Sequence, residues 1–311
     1  MASHTRPWLQ IHFCVVLWGF TAILGKLISL TALPLVWWRM VLVTGALLLV
    51  QRFWSGLTQL SPRLAATYAG IGVVVALHWL TFYASIKLSN ASVAATCMAL
   101  TPVFISFVEP LLARRRFDMS ELFFGLAVIP GVMLVVGGTP DGMRLGIAVG
   151  ALSAFLVAIF ASLNKRFIAS TDVLTVTGIE MGAGALFLTL AAPLASGGDP
   201  LFVLPSQRDA LLLIALALGC TLLPFALSLV ALRQLSAFST ALAVNMEPVY
   251  AIVLAIVLLG EQRELSLSFY AGVAIILVVV FAHPWTSRGK GGNDQGIGDS
   301  QRKEPMRALS D

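Results

Sequence analysis

Charge is what this sequence lacks most. Asp, Glu, Lys and Arg make up only 11% of the 311 residues, whereas about a quarter of the residues in a soluble domain are charged. Hydrophobic residues make up 58%, and the mean hydropathy is +0.91. So few charges cannot cover the surface of a domain in water, which excludes a soluble globular protein. The composition instead predicts an integral membrane protein.

Motifs that carry catalytic or metal chemistry are also missing. The three cysteines, Cys14, Cys97 and Cys220, lie in separate apolar runs without metal-type spacing, which argues against a disulfide framework and a zinc site. The sequence has no Walker-type loop, no Cys or His pair and no paired acidic motif, so we expect no enzyme, no ATP-driven pump and no cofactor. The basic residues form no patch with interleaved aromatics, which argues against a nucleic-acid partner.

What the sequence does contain is ten apolar segments bounded by charges, Pro or Gly. Each is long enough to cross, as a helix, a hydrocarbon core about 30 Å thick. Backbone polar groups in lipid must be hydrogen-bonded within their own segment, which favours helices. We therefore predict an all-α integral membrane protein with spans at residues 8–28, 33–52, 64–86, 90–112, 118–138, 145–163, 172–194, 209–232, 236–259 and 267–283.

The basic residues are divided unequally between alternate loops. If the N-terminus lies inside, fourteen of the 20 Lys and Arg residues fall on the cytoplasmic side and five on the outer side. The positive-inside rule then places both termini in the cytoplasm of a plasma (inner) membrane protein, with residues 1–7 as the cytoplasmic N-terminus. Residues 284–311 are rich in Gly, Ser, Asp, Lys and Arg, which predicts a disordered basic tail.

The chain also repeats itself. Residues 91–115 align without a gap on residues 237–261, so that Pro102 matches Pro248. Because five helices is an odd number, a second copy of a five-helix unit must enter the membrane from the opposite side. We therefore predict two inverted five-helix repeats related by a pseudo-two-fold axis in the membrane plane, at residues 8–140 and 141–283.

One stretch of the second repeat is the most specific motif of the chain. In Ala231 to Glu261, Ala-Leu-Arg-Gln-Leu-Ser precedes Asn245-Met246-Glu247-Pro248, and the stretch ends in Leu-Gly-Glu. With it, the chain resembles the EamA-type permeases of the drug/metabolite transporter superfamily over roughly residues 10–283. The first repeat departs from the pattern, with Thr101 where the second has Glu247. The resemblance implies a secondary carrier, tending to export, whose central cavity is lined by the third, fourth, eighth and ninth spans.

Three prolines, Pro102, Pro224 and Pro248, lie near the middle of apolar spans. Each removes a backbone hydrogen bond and frees the carbonyl four residues earlier. In inverted-repeat carriers such breaks often face the substrate near the midplane. We therefore expect these prolines, with Thr101 and Asn245, to lie at the substrate site, the alternative being purely structural kinks.

Two acidic residues are candidates for substrate contact or coupling. Glu247 lies at the centre of the ninth span, where an ionised side chain costs at least about 2.5 kcal/mol and must face protein or water. One hypothesis is that proton binding and release at Glu247 accompany alternating access, and the alternative is a fixed ion pair with Arg39, the one base well inside a span. Glu180, in the seventh span, either takes part in coupling or pairs with Lys165 or Arg166.

The third span is unusually rich in polar and aromatic residues. Because positions 78, 82 and 85 share one helical face, His78, Phe82 and Ser85 are predicted to line a cavity together. A packed histidine with satisfied hydrogen bonds is the alternative. Trp18, inside the first span, is expected either to reach the same cavity or to anchor the helix at the interface.

As a whole, the sequence predicts a carrier that moves a small-molecule substrate across the bilayer by alternating access, driven by a solute or proton gradient. Two other classes remain open. A lipid-modifying membrane enzyme would need a cluster of acid, base or metal-binding groups at one interface. In a non-transporting scaffold, changes at Glu247 and Asn245 would affect assembly but no solute flux.

Overall fold

The computed structural model describes residues 2–112, 117, 119–167, 171–195, 201–224, 227 and 246–287. Within these ranges the chain is helical and no strand is present. A π-helix, Ala215–Leu222, continues α10 without a break. The α-helices are α1 (Ala2–Leu27), α2 (Ala32–Leu48), α3 (Gln51–Thr58), α4 (Pro62–Leu88), α5 (Ala91–Met98), α6 (Thr101–Leu112), α7 (Met119–Gly137), α8 (Arg144–Phe167), α9 (Val173–Ala195), α10 (Gln207–Ile214), α11 (Glu247–Leu259) and α12 (Leu267–Ser287).

Several of these helices are long and apolar enough to cross a membrane. Among the described residues, four do so singly, at Leu9–Leu27, Pro62–Leu88, Asp141–Asn164 and Val173–Pro193, and the number rises to six if each of two bent pairs is one span. These helices lie where the sequence predicts spans. The last helix, α12, extends to Ser287, so the first four residues of the predicted tail are helical, and residues 288–311 lie outside the described residues.

The second predicted span, residues 33–52, is shorter than expected. Helix α2 ends at Leu48, Val50 is extended, and α3 leaves at 86° to α2. The indole Nε1 of Trp54 donates to the carbonyl of Leu48 at 2.9 Å, which satisfies one of the free carbonyls at the end of α2. Helix α3 buries Phe53 and exposes Trp54, so it lies across the end of the span and does not extend it.

The fourth predicted span is broken in the middle. Helices α5 and α6 are separated at Ala99 and Leu100 and meet at 47°. Pro102 is the second residue of α6, and Pro248 is the second residue of α11. Proline fits this position because the first N–H groups of a helix have no intrahelical partner. The matched prolines therefore open helices in both halves of the chain rather than kink helix interiors.

The packing of the helices follows the same duplication. Helix α4 packs on α8 and α9, α1 on α11, and α7 on α12. When the halves are exchanged, the α4–α8 pair corresponds to the pair of α1 with the π-helix, and the α1–α11 pair to α6–α8. Both of these counterparts are present. The α7–α12 pair corresponds to itself.

Helices α7 and α12 are in close backbone contact at two glycines. A Cβ atom added to Gly131 would lie 2.9 Å from the Gly272 carbonyl oxygen, and one added to Gly272 would lie 2.6 Å from the Gly131 carbonyl oxygen. Neither position has room for a side chain. The contact is reciprocal, as expected where a helix meets its own counterpart.

Polar contacts join the ends of the helices. Asp209, at the start of α10, accepts from the backbone N–H of Ser29 at 2.9 Å, just after α1. A second contact joins Arg52 of α3 to Asp172, which precedes α9, at 2.6 Å. In each case the two joined ends belong to loops that the positive-inside rule assigns to the same side of the membrane.

Candidate functional site

A cavity lies where α1, α4, α5 and α11 meet. Its water-accessible volume is about 10 Å³, which is room for about one water molecule in this conformation. The wall is mainly apolar and aromatic, with one carboxyl group. The lining residues are Trp18, Thr21, Ala22, Phe82, Ala95, Met98, Glu247, Pro248 and Ala251. Of the residues expected at the substrate site, the structure thus brings together Trp18, Phe82, Glu247 and Pro248.

Glu247 reaches the cavity because it is the first residue of α11. Pro248 follows it in the first turn and cannot continue a hydrogen-bonded helix backward through its nitrogen. The N-terminus of a helix carries partial positive charge, which favours a carboxylate there. The start of α11 therefore places an acidic group, stabilised by the helix end, on the wall of an otherwise apolar cavity.

Arg39 is buried next to this cavity, with 4% of its surface exposed. Its Nε donates to Thr221 Oγ1 at 2.8 Å, and its Nη1 donates to the Tyr83 hydroxyl at 2.9 Å. The guanidinium carbon lies 3.6 Å from the ring centre of Trp79, a cation–π contact. Between Arg39 and Glu247, both in the described part of the chain, there is no ion pair within 4.0 Å. Neutral groups therefore hold the arginine, and the carboxylate is left to the cavity.

The π-helix provides one of these partners. Thr221 Oγ1 also donates to the carbonyl of Leu216, five residues earlier, at 2.8 Å. A π-helical turn is wider than an α-helical one. It is rare, and it occurs frequently at functional sites. Pro224 follows the π-helix and is buried, but it is not among the residues that line the cavity. The eighth span contributes to the site through Thr221 and its bond to Arg39.

His78 is packed between α4 and α8. Its Nδ1 lies 2.8 Å from Ser153 Oγ, and Ser153 Oγ donates to the His78 carbonyl at 2.9 Å. Ser85 donates to the carbonyl of Gly146 at 2.7 Å. Of the three residues expected to share one face of the cavity, only Phe82 lies in its lining. His78 and Ser85 instead tie the third span to the sixth.

Glu180 lies on α9, outside the cavity, with 5% of its surface exposed. Its carboxyl group lies near the side chain of Asn164 of α8, and its Oε1 has no hydrogen-bond partner in the described structure. Arg166 does not pair with it, since Nη1 of Arg166 donates to the Leu112 carbonyl at 2.9 Å. The side chain of Lys165, the other expected partner, lies outside the described residues.

Three expected site residues remain: Thr101, Pro102 and Asn245. Thr101, which aligns with Glu247, is the first residue of α6 and half-buried. It is not among the cavity-lining residues. The side chain of Pro102, and all of Asn245, lie outside the described residues.

Sequence reasoning assigned no role to Glu261. It is buried, with 1% of its surface exposed, and its two carboxylate oxygens accept from the backbone N–H groups of Ala91 and Ser92 at 2.9 and 2.7 Å. Gly260, at φ +70°, ends α11 and turns the chain toward α5. Glu261 therefore caps the N-terminus of a helix in the other half of the chain. The Leu-Gly-Glu ending of the ninth span was the signal for it.

No metal site emerges from the acidic and histidine residues. Within the described ranges, no three side chains of the types His, Cys, Asp and Glu come together as metal ligands. The chemistry available at the cavity is thus that of one carboxyl, an adjacent buried guanidinium and aromatic surfaces. These groups offer apolar contact, a hydrogen-bonding carboxyl group and a nearby positive charge.

Comparisons with known proteins give a family and a fold. The model of the EamA-like transporter family matches the chain twice, at residues 8–137 and 144–282. A crystal structure whose title states no function aligns with a TM-score of 0.58 and 18% sequence identity, over 92% of this chain and 99% of its own. At that identity the likeness shows the fold alone. No curated protein matches the sequence.

Proposed function

Because the chain belongs to the EamA-like transporter family, as two repeats of that family in a multi-pass membrane protein, we propose that it is a secondary transporter that exports small metabolites, amino acids or drugs. The observation that carries this proposal is the cavity at Glu247. It is built from the first, third, fourth and ninth predicted spans, and so from both repeats, as a site that opens alternately to either side requires.

The inverted arrangement of ten spans is part of the proposal. Three observations support it: the matched prolines at the start of α6 and α11, the helix pairs that correspond when the halves are exchanged, and the reciprocal contact of Gly131 with Gly272. The Asp209 and Arg52 contacts each join loops that this arrangement puts on the same side, and the excess of Lys and Arg in alternate loops supports cytoplasmic termini in an inner membrane protein. We place the boundary between the repeats at residues 140 and 141.

We assign the wall of the cavity to substrate binding. Trp18 and Phe82 offer aromatic surface, and Glu247 offers a negative charge for a cationic group of the solute or for a coupling proton. Arg39 sets the potential of the site without neutralising Glu247 directly. The proposed substrate-binding residues in the wall are Trp18, Phe82, Glu247 and Pro248. The other proposed substrate-binding or coupling residues, which are not among the lining residues, are Asn245, Pro102, Thr101, His78, Pro224, Arg39 and Glu180.

A carrier is favoured over a lipid-modifying enzyme by the make-up of the cavity. Hydrolysis or group transfer requires an acid, a base or a metal in concert. In the described residues the cavity has one carboxyl group and no second titratable side chain in its lining.

The first test is ligand binding, followed by flux. The unfolding midpoint of the detergent-purified protein is measured against a panel of amino acids, nucleosides, sugars, polyamines and drugs. A ligand that binds the folded state raises this midpoint. We expect one chemical class to raise the midpoint in the wild type and not in Glu247→Gln, and to be transported into liposomes by the wild type at a rate at least about tenfold that of the variant.

The matched control is Asp141→Asn, which neutralises a carboxylate that is 86% exposed and far along the chain from the cavity. It should bind and transport as the wild type does. If no solute shows flux, and Glu247→Gln changes only the unfolding midpoint without ligand, the protein is a scaffold and the proposal fails.

A further inference from the structure

Glu180 and Asn164 form a buried pair of side chains whose hydrogen bonds are incomplete. Glu180 is on α9 and Asn164 near the end of α8. The two side chains are close enough to interact, and both Glu180 Oε1 and Asn164 Oδ1 are buried without a hydrogen-bond partner in the described structure. The pair therefore has two acceptor oxygens that lack a donor.

No neighbouring group of the described chain supplies that donor. On α4, the Tyr68 hydroxyl donates to the Phe167 carbonyl at 2.8 Å and lies 3.1 Å from Thr171 Oγ1. On α2, Arg39 is bonded to Tyr83 and Thr221. The side chains that α2 and α3 turn toward the glycines of α9 are neutral: Met40, Thr44 and Phe53.

Close packing keeps the pair from water. At Gly72 of α4, an added Cβ would meet the backbone of Glu180, so the two helices are in backbone contact at this residue. An ionised carboxylate buried without a cation or a full set of donors is strongly disfavoured. The carboxyl group must therefore be neutral here, or the helices around it must move.

A proton completes the pair where a metal cation does not. A carboxylic acid and a primary amide form a ring of two hydrogen bonds: the amide N–H donates to one carboxyl oxygen, and the acid O–H donates to the amide oxygen. A proton on Oε1 thus provides a donor for Asn164 Oδ1. Hard metal cations take about six oxygen ligands, and Glu180 belongs to no group of three potential metal-ligating side chains in the described residues.

We propose that Glu180 and Asn164 form a proton-binding site, separate from the cavity at Glu247, in which Glu180 is protonated in the conformation described here. The proton comes from water on one side of the membrane and returns to water when the packing of α9 against α4 and α8 opens. The use of this proton to drive solute movement rests on the proposed transport function. The binding of the proton does not.

Infrared difference spectroscopy of the detergent-purified full-length protein tests the site directly. The spectrum is recorded from acid to alkaline pH, and the C=O band of protonated carboxyl groups is followed. We expect wild-type protein to keep a protonated-carboxyl band at neutral pH that is lost in Glu180→Gln and kept in Glu247→Gln. In Asn164→Ala the band should remain but shift in frequency, because its hydrogen-bond acceptor is gone.

Two results would overturn the proposal. One is a spectrum in which the neutral-pH band is the same in wild type and Glu180→Gln. The other is a band that sodium or potassium ions remove at constant pH, which would identify a metal-cation site. If Glu180→Gln does not fold, the frequency shift in Asn164→Ala decides, since that variant keeps the acid.

The experiment also separates this site from the transport proposal. It uses no substrate, so a titrating Glu180 in a protein that moves no solute leaves the proton site standing and removes the transporter. Solute flux in a protein whose Glu180 carries no proton at neutral pH would support the transporter and rule out the proton site.

Discussion

At the scale of single residues, the sequence predicted the position of Glu247 at a cavity but not the contacts of Arg39. Glu247 was expected at a cavity because a carboxylate inside an apolar span must face protein or water, and it lines one. An ion pair of Arg39 with Glu247 was the alternative expectation. Arg39 instead contacts Tyr83, Thr221 and the indole ring of Trp79. Tyr83 lies 44 residues after Arg39 in the sequence, and Thr221 lies 182 residues after it. Only the packing of the helices shows that they are partners.

The geometry around Arg39 predicts that lysine cannot replace it. An ammonium group lacks the planar fork that reaches Thr221 and Tyr83 at once and stacks on Trp79. Arg39→Lys should lower the free energy of unfolding by about 1–3 kcal/mol, because buried groups lose their partners. Denaturant or thermal unfolding in detergent measures the change. Tyr83→Phe, which removes one bond only, is the matched variant and should cost less; equal stability of all three proteins would contradict this account of Arg39.

At the scale of helices, the apolar runs predicted the four single spans, at Leu9–Leu27, Pro62–Leu88, Asp141–Asn164 and Val173–Pro193, to within about four residues, because charges, Pro and Gly bound them. The break at the end of α2 was missed, and the break in the fourth span lies at Ala99 and Leu100, just before the proline where it was expected. Residues 48–52 and 98–101 contain no charge before Arg52, so nothing in the hydropathy marks where α2 and α5 end. Pro102 and Pro248 were noticed but expected inside helices, whereas they stand at the starts of α6 and α11, where the missing N–H costs nothing.

The cap on α5 gives the prediction that belongs to this scale. Glu261→Ala removes the acceptor of two buried N–H groups, and we expect the free energy of unfolding to fall by about 1–3 kcal/mol. Glu261→Gln, which keeps one acceptor oxygen, should lose roughly half as much. Unfolding in detergent measures both. Gln262→Ala, at an exposed neighbouring position, is the control. A Glu261→Ala protein as stable as this control would rule out the cap.

At the scale of the whole molecule, one alignment carried most of the prediction. The match of residues 91–115 with 237–261 predicted a duplicated chain, and two repeats of one family cover it. The contacts that join the halves were beyond reach of the sequence. Glu261 of the second repeat caps α5 of the first, and a sequence aligned on itself shows which segments are alike but not which of them touch.

The proposed order and orientation of the spans place two exposed positions on opposite sides of the membrane. In a variant whose buried cysteines, Cys14, Cys97 and Cys220, are replaced by Ala or Ser, a single cysteine is placed at Gln51 or at Asp141. A membrane-impermeant maleimide added to intact cells should label Asp141→Cys and leave Gln51→Cys unlabelled until the membrane is opened. Labelling of both from outside, or the reverse order, would refute the proposed orientation.

The reciprocal contact of Gly131 and Gly272 has a mechanical consequence. If the halves exchange conformations about a two-fold axis, points on that axis keep their place while everything else swings around them. At the crossing of α7 and α12, two backbones touch without side chains between them. This crossing is then the pivot about which the two halves rotate.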